Sequence, residues 1–261
     1  MPLTISHPAA SVPLRRFGLA LSPLIIGSMA PDFAKFATLS PKSDLGHSWF
    51  GAFWFCLPAG LIALWIFHTF IKHPVFALLP FPHQNRLTPI LNRFSFKPAK
   101  QFGLILLALL LGALTHLSWD AFTHQNILTV QWIPFLNSPL FEIGGYDIRV
   151  YKLLQHGSTI VGFALLAFWY FQWFQKSPQH QVDPQFLMCA KVKIFAGLGM
   201  VGFALVAGMI FGVVCATRSP DAKFLKIFLG RSVVGFGAFL MVTLLTYCTI
   251  WNRNKRRRNS Q

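Results

Sequence analysis

The chain is 261 residues long, 54% of these residues are hydrophobic, and the mean hydropathy is +0.52. Such a composition excludes an ordinary soluble domain and is typical of a polytopic membrane protein. The 23 Lys and Arg residues face only seven acidic ones, and in a membrane protein this excess marks cytoplasmic loops before it marks nucleic-acid binding. We therefore expect the lipid bilayer, and no nucleic acid, among the partners. Four widely spaced cysteines form no C-x-x-C pair and are interpreted as small apolar side chains.

The first apolar segment, residues 17–29, follows Arg15 and Arg16 and imitates a signal peptide. Pro31, directly after Ala30, would hinder cleavage there, so we expect the segment to stay in the mature protein. As a helix its 13 residues reach about 20 Å, which is short of the hydrocarbon core of a bilayer at about 30 Å. The segment is therefore predicted to be an interfacial, re-entrant or packed helix.

Five longer apolar runs predict transmembrane helices, and with them an all-α polytopic helix bundle. They cover residues 48–71, 102–119, 153–174, 194–216 and 224–251. Pro58 predicts a kink in the first run, and the proline-rich, basic segment 72–100 is predicted to be a loop. We divide the chain into a membrane domain of residues 1–175, which carries the polar motifs, and residues 176–261, which hold two glycine-rich spans and a basic tail. Together they form one integral domain.

Glycines recur along the last two predicted spans, and in lipid such small residues let helices approach closely. We therefore assign both spans to structure. Arg231 lies two turns inside the last span, and it can bind an anion or extend its charged end towards the membrane surface. The second role is the preferred interpretation, because the residue lies near a helix end.

The charge distribution predicts the orientation of these spans. The densest cationic run, residues 253–258, belongs in the cytoplasm by the positive-inside rule. Counting back through five spans puts segment 72–100 on the same side, so that 13 basic residues and only one acid, Asp183, are cytoplasmic. The other acids fall on the opposite side: Asp32, Asp44, Asp120, Glu142, Asp147 and Asp221. The C-terminus is thus predicted to be cytoplasmic.

Metal-competent side chains recur in the stretch Thr115-His116-Leu117-Ser118-Trp119-Asp120-Ala121-Phe122-Thr123-His124, at the outer end of the second predicted span. If the helix continues through this stretch, His116, Asp120 and His124 project from one face, because they are four residues apart. A structural interpretation, in which they cap and hydrogen-bond a helix end, stays open at this point.

The topology assigned from Lys and Arg alone brings further candidates to the same side. His47 precedes the first span, and His156 opens the third span. Asp32 lies in the segment Gly27-Ser28-Met29-Ala30-Pro31-Asp32-Phe33. His7 joins them only if the first apolar segment does not cross the membrane. The remaining histidines fall at the inner end of a span or in inner loops, and we interpret them as solvated or interfacial: His68, His73, His83 and His180.

Imidazole and carboxylate groups together are ligands for zinc and similar divalent ions, and open positions on such a site allow hydrolysis. The candidate groups suffice for two metals with a bridging carboxylate, and two metals about 3.5 to 4 Å apart can activate water and stabilise the leaving oxygen of a phosphoester. The chain has no G-x-S-x-G, no P-loop and no strand-following G-x-G-x-x-G, which excludes serine hydrolases, P-loop NTPases and Rossmann enzymes. The expected cofactor is a divalent metal, with zinc as the first choice.

Several motifs occur in a fixed order: Ser6-His7-Pro8-Ala9-Ala10, residues 27–33, His47-Ser48, residues 115–124 and Gln155-His156-Gly157-Ser158-Thr159. Together they resemble the signature of DUF4184, a bacterial family of polytopic membrane proteins of unknown function. The resemblance covers most of the first 175 residues, and the last two spans show no motif. It implies an integral protein of the bacterial inner membrane.

The order His, Pro-Asp, His-Ser, His-x-x-x-Asp is more distantly similar to that of inner-membrane proteins, related to the LexA-binding protein, that are classed as metal-dependent hydrolases. It is also similar to that of zinc-dependent phospholipase C and related nucleases. This similarity implies one metal site with the following ligands: Asp32, His47, His116 and Asp120. It places His7 near a further metal bound through Asp120, and it assigns His124 and His156 to another site. Ile160 stands where the phospholipase pattern has a glutamate, so the similarity implies one or two metals and not three.

The leading functional hypothesis is a membrane-embedded, metal-dependent hydrolase that opens on the extracytoplasmic face and acts on a phosphoester such as a lipid headgroup. The metal would generate hydroxide near neutral pH, and Asp32 or Asp120 would be the catalytic carboxylate that orients ligand or water. One alternative is a small transporter or channel in which Asp120 and the histidines relay protons or ions. Another is a noncatalytic membrane organiser whose basic tail binds anionic lipid.

Overall fold

The computed structural model describes residues 4–124, 128–143, 146–218 and 224–259, so Asp221 of the predicted outer side lies outside the described residues. Within these ranges, five helices are long and apolar enough to cross a membrane. We name them the first to fifth spans in chain order: Trp49–Leu78, Ala99–Thr123, Val150–Lys176, Ala190–Thr217 and Phe224–Arg257. The predicted all-α polytopic helix bundle is thereby confirmed, and each span is longer than the apolar run that predicted it.

The first span is not a uniform α-helix. Two π-helical segments interrupt it: Ala52–Cys56 and Phe67–Ile71. They precede Pro58 and Pro74, and a proline has no N–H and collides with the carbonyl four residues before it, so the helix widens there. The carbonyl of Phe70, which Pro74 cannot bond, instead accepts a hydrogen bond from Asn252 Nδ2 at 3.1 Å. Because the π-helical segments accommodate both prolines, the helix continues to Leu78, and the basic loop is shorter than predicted.

Short helices make up the chain before the first span. They are Thr4–Ser6, Pro8–Ser11, Val12–Phe17, Leu21–Met29, Ala30–Asp32 and Phe33–Ala37. Leu21–Met29 contains most of the first apolar segment, and it packs along the second span. Gly112 permits this contact, since a Cβ atom there would lie 2.5 Å from the carbonyl oxygen of Leu24. Of the three predicted alternatives, the structure therefore has the packed helix.

The connections between spans contain further short elements. The helices among them are Phe81–Leu87, Thr88–Ile90, Leu128–Trp132, Pro134–Asn137 and Pro184–Phe186. Two antiparallel strands, Pro139–Ile143 and Tyr146–Arg149, lie between the second and third spans, with Phe141 opposite Ile148. These strands were not predicted from the sequence, because each is too short to show a clear alternating pattern. A pair this small adds no further layer to the helical fold.

The chain divides into two compact units, each made of separated segments. The first consists of Met1–Phe33, Leu45–Leu64 and Ser95–Lys176. The second consists of Ala34–Asp44, Trp65–Phe94 and Ser177–Gln261. All seven predicted site residues belong to the first unit, whose core includes Leu24 and Ala108 at the contact described above. The fourth and fifth spans belong to the second unit.

Within the second unit, the fourth and fifth spans pack side by side. A Cβ atom on Gly208 would lie 2.7 Å from the backbone nitrogen of Phe236, so the absent side chain allows the two helices to touch. Arg231 of the fifth span donates a hydrogen bond to the backbone carbonyl of Leu39. Its guanidinium thus has a structural partner inside the unit.

Candidate metal centre

Asp120 lies at the centre of the candidate site, near the end of the second span. Imidazole nitrogens of four histidines lie close to its carboxylate oxygens: His116 Nε2 at 3.3 Å, His47 Nε2 at 3.5 Å, His124 Nδ1 at 3.6 Å and His7 Nε2 at 3.8 Å. His7 comes from the N-terminal region and His47 from the loop before the first span. His116 and His124 come from the end of the second span and the residue after it. Tertiary folding thus gathers three separate segments around one carboxylate.

A second carboxylate, that of Asp32, faces the same histidines. Its Oδ1 lies 3.3 Å from His47 Nε2, and its Oδ2 lies 4.0 Å from His116 Nε2. Thr4 Oγ1 donates a 2.6 Å hydrogen bond to Asp32 Oδ2, which orients the carboxylate. The Nε2 atoms of His47 and His116 therefore each lie between two carboxylates.

The cluster is shielded from solvent. His116 is 1% exposed, Asp32 and Asp120 are each 2% exposed, and His7 is 5% exposed. The side chain of His47 is more open, at 14%. Buried carboxylates are costly unless positive charge compensates them, so two of them in one cluster require a cation or bound protons.

The orientation of His116 is set by a backbone carbonyl. Its Nδ1 lies 2.7 Å from the carbonyl oxygen of Ser28, and because a carbonyl only accepts hydrogen bonds, Nδ1 carries the proton and donates it. When the ring is neutral, the lone pair of Nε2 is then directed towards the carboxylates. His116 Nε2 and Asp120 Oδ1 are both buried without a hydrogen-bond partner, although Asp120 Oδ2 lies 3.3 Å from His116 Nε2. A histidine held through one nitrogen, with the other free to coordinate, is the usual arrangement of a metal ligand.

A close backbone contact brings His47 to Asp32. A Cβ atom on Gly46 would lie 2.5 Å from the carbonyl oxygen of Pro31, so only glycine allows this approach. His47 directly follows Gly46, and Asp32 directly follows Pro31. The contact therefore sets the two side chains within 3.3 Å of each other. Gly112 acts in the same way for His116, which lies one helical turn later and faces the packed helix Leu21–Met29.

His7 immediately precedes the short helix Pro8–Ser11, and its ring stacks on that of His116 with centroids 3.7 Å apart. Burial lowers the pKa of His7 from 6.5 to about 3, and the neighbouring His116 also lowers it, while Asp120 and Asp32 act in the opposite direction. His7 is therefore neutral at pH 7, and a neutral imidazole has a lone pair available for a metal.

Among the described residues, two sets of three ligand atoms lie within 4.8 Å of one another. They are His7 with His116 and Asp120, and Asp32 with His47 and His116. Imidazole nitrogen and carboxylate oxygen are the donors that zinc accepts, so both sets fit such an ion. Both also need His116 Nε2, because its Nδ1 is bonded to Ser28, and one nitrogen lone pair serves one ion. A second ion would therefore have only the two remaining residues of the other set as ligands.

Two predicted ligands stand apart from these sets. The second span ends at Thr123, and His124 has an extended backbone with φ −120° and ψ 125°, so the helical stripe covers only His116 and Asp120. His124 Nδ1 still reaches the Asp120 carboxylate, but its side chain is 24% exposed and it joins neither set. His156, in the second turn of the third span, is exposed and also joins neither set.

Two groups of the site were missed by sequence reasoning. Thr4 orients Asp32, and its only sequence signal is its position one turn before His7. The Ser28 carbonyl holds His116, and a backbone carbonyl leaves no signal in a sequence. The histidines interpreted as solvated or interfacial have other neighbours, since His68 stacks on Phe94 and His73 lies 3.1 Å from Asn92.

The fold and the site together define a class: a polytopic helical membrane protein with a buried cluster of histidines and aspartates. The model of the family described as "Domain of unknown function (DUF4184)" matches residues 1–249, and the chain belongs to this family. The match extends beyond the motifs of the first 175 residues, through the fourth span and most of the fifth. No curated protein and no solved structure matches the chain. The more distant similarity to characterised hydrolases stays a prediction.

Proposed function

We propose that the protein is a membrane-embedded, metal-dependent hydrolase of phosphoesters, with lipid headgroups as its class of substrate and zinc as its first choice of metal. The observation that carries the proposal is the convergence of unshared lone pairs in a buried cluster. His116 Nε2 and Asp120 Oδ1 have no hydrogen-bond partner, and both belong to a set of ligand atoms that lie within 4.8 Å of one another. Leaving such atoms unsatisfied is costly unless they bind something.

Charge balance also supports the proposal. The carboxylates of Asp32 and Asp120 carry two negative charges in a site from which water is largely excluded. His7 is neutral at pH 7, and His116 is held in the tautomer that presents a lone pair. A divalent cation would neutralise both carboxylates at once, and its binding would stabilise the folded protein.

In this proposal, His7, His116 and Asp120 hold the ion, and Asp32 with His47 completes the site or contributes to a second one. A bound divalent ion would lower the pKa of water from about 15.7 to about 7 and polarise a phosphoryl oxygen. Hydrolysis adds one water: its oxygen bonds to phosphorus, the phosphorus–oxygen ester bond breaks, and the departing oxygen takes a proton. Asp32 or Asp120 accepts the proton of the water and directs its oxygen, and Thr4 keeps Asp32 in place.

We also propose that the protein lies in the bacterial inner membrane with its C-terminus in the cytoplasm and the cluster on the opposite side. The basic tail would then meet anionic lipid of the cytoplasmic leaflet. In a Cys215→Ser background, Cys189 tests this orientation, because it is exposed just before the fourth span, whereas Cys56 and Cys248 are buried. A membrane-impermeant maleimide should label Cys189 only after the cells are permeabilised, and labelling of intact cells would reverse the orientation.

Metal analysis of detergent-purified protein tests the proposal directly. Wild-type protein should contain stoichiometric metal, whereas His116→Ala and Asp120→Asn should contain little, because His116 belongs to both ligand sets and Asp120 belongs to one. His180→Ala, which alters an exposed histidine of the second unit, is the matched control and should retain the metal. Wild-type protein without metal, or variants that bind metal like wild type, would contradict the proposal.

Activity requires a second assay. Purified protein should release alcohol or phosphate from phosphodiester or phosphomonoester substrates, lose this activity with a chelator, and regain it with zinc. Asp120→Asn should be inactive with or without added zinc. Ion or solute flux in proteoliposomes that Asp120→Asn abolishes, in the absence of any hydrolysis, would instead support the transporter and contradict the hydrolase.

A further inference from the structure

An apolar groove runs beside the cluster, inside the first unit. Its walls come from the helix Pro8–Ser11, from Trp119 of the second span and from one side of the third span, and its volume is about 490 Å³. This volume falls within the range of small-molecule sites in proteins, about 300 to 1,000 Å³. The groove is therefore large enough for a ligand and not only for a water molecule.

The lining of the groove is mostly apolar. Leu153, Val161 and Leu165 of the third span form one side, and each of these side chains is exposed in the structure. The third span as a whole is open, with only 6% of its apolar window buried. The polar side chains of the lining are those of Ser6, His7 and Ser158. Such a surface, in a helix that crosses a membrane, suits a hydrocarbon chain and not a sugar or an ion.

His7 connects the groove to the candidate metal centre. It lines the groove, and its Nε2 also lies 3.8 Å from Asp120 Oδ1. A molecule that places a phosphoester at the cluster therefore has an apolar channel directly beside its polar end. The two features fit the two halves of one amphiphile.

We propose that the groove binds an acyl chain of a membrane lipid whose phosphoester lies at the His7–Asp120 cluster. The substrate would thus be an intact lipid that enters sideways from the bilayer. This inference rests on the proposed function for its account of the headgroup, but the binding of the chain can be tested separately.

Gly157 offers a way to block the groove without disturbing the fold. It lines the groove, and a Cβ atom built on it meets no atom within 4 Å outside its own helix turn. A leucine at this position would therefore extend into open space. Gly103 of the second span is the matched control, because a Cβ atom there also meets nothing and the residue does not line the groove.

The first experiment detects chain binding without any turnover. A phospholipid with a photoactivatable diazirine in its acyl chain is added to the purified wild-type protein, and the labelled peptides are mapped. We expect labelling concentrated in residues 153–165, and Gly157→Leu should reduce it about tenfold, as a steric penalty of about 1.4 kcal/mol would do. Gly103→Leu should label like wild type. Labelling spread evenly over all five spans, or unchanged by Gly157→Leu, would show ordinary surrounding lipid only and overturn the inference.

The second experiment uses monomeric alkyl phosphodiesters in water, with chains of increasing length. Each added CH₂ that enters the groove should raise kcat/KM about fourfold, the equivalent of about 0.8 kcal/mol. Gly157→Leu should flatten this dependence and Gly103→Leu should preserve it. If hydrolysis occurs but ignores chain length, the groove inference is wrong and the hydrolase stands. If no diester is hydrolysed while the diazirine labelling is groove-specific, the hydrolase is wrong and the lipid site stands.

Discussion

The effect of Asp120→Asn on thermal stability should depend on whether metal is present: small without metal and large with it. Asparagine keeps the shape of the side chain but removes one of the two buried negative charges of the cluster. In metal-free protein the substitution removes a buried charge but also weakens the contacts of this side chain with the four surrounding histidines, so the two effects oppose each other and the variant should melt close to wild type. With zinc, wild type gains stability through binding, and the variant should gain little because Asp120 belongs to one ligand set and faces the other.

The size of the effect follows from ligand linkage. At a free metal concentration of 100 times its Kd, binding stabilises wild type by about 2.7 kcal/mol. Loss of an outer-shell partner already weakens metal binding by about 10 to 100-fold, so loss of a direct ligand should reach the upper value. At the same metal concentration the variant would then gain about 0.4 kcal/mol. Since 1 kcal/mol moves the melting temperature of a chain of this size by about 2 to 4 °C, zinc should raise it by about 5 to 10 °C in wild type and by about 1 to 2 °C in the variant.

Thermal unfolding of the detergent-purified proteins, with chelator or with zinc, measures both effects. Asp147→Asn is the matched control, since Asp147 is an exposed aspartate of the same unit and its loss should leave the zinc-induced shift unchanged. A metal-free Asp120→Asn protein that melts many degrees below wild type, together with no zinc shift in wild type, would refute the reasoning. That result would mean that Asp120 only braces the helix end.

Three further predictions concern the packing and the histidines. Gly112→Val should destabilise the protein by about 1 to 3 kcal/mol and lower its metal content, because the added side chain separates His116 from Ser28. The control Gly103→Val should change neither stability nor metal content. Melting temperature and metal analysis of the two variants test this prediction. His124→Ala should lose less metal than His116→Ala in the same analysis, because His124 joins neither ligand set. In metal-free protein, the melting temperature should fall as the pH decreases below 6.5, because the pKa of His7 is about 3 in the fold and only the unfolded chain then takes up the proton. The fall should be smaller in His7→Gln, and an identical fall in both proteins would contradict this account.

The fold class could be predicted from the sequence because, in a membrane, each helix is specified by its own run of apolar residues. Each span must satisfy its own backbone hydrogen bonds in lipid, so an apolar run of sufficient length is enough to predict a helix. The spacing of His116 and Asp120 is equally local, since helix geometry places residues four apart on one face. Their side chains indeed lie 3.3 Å apart.

Helix ends were less predictable, because distant residues decide them. The prolines of segment 72–100 predicted an early end for the first span. The helix continues past Pro74 because Asn252, 182 residues away from Phe70 in sequence, supplies the hydrogen bond that the proline cannot make. In the same way, no local pattern predicted that the second span ends at Thr123 and leaves His124 outside the helix.

By itself, the sequence determined which side chains are able to coordinate a metal and which of them share a helix. Only the tertiary structure decided which of them meet. His7 and His47 approach Asp120 through segments of no regular pattern, and His156, which the motifs favoured equally, is exposed. The physical reason is backbone packing: contacts as close as that of Gly46 with Pro31 set the depth and rotation of each segment, and these depend on both partners at once.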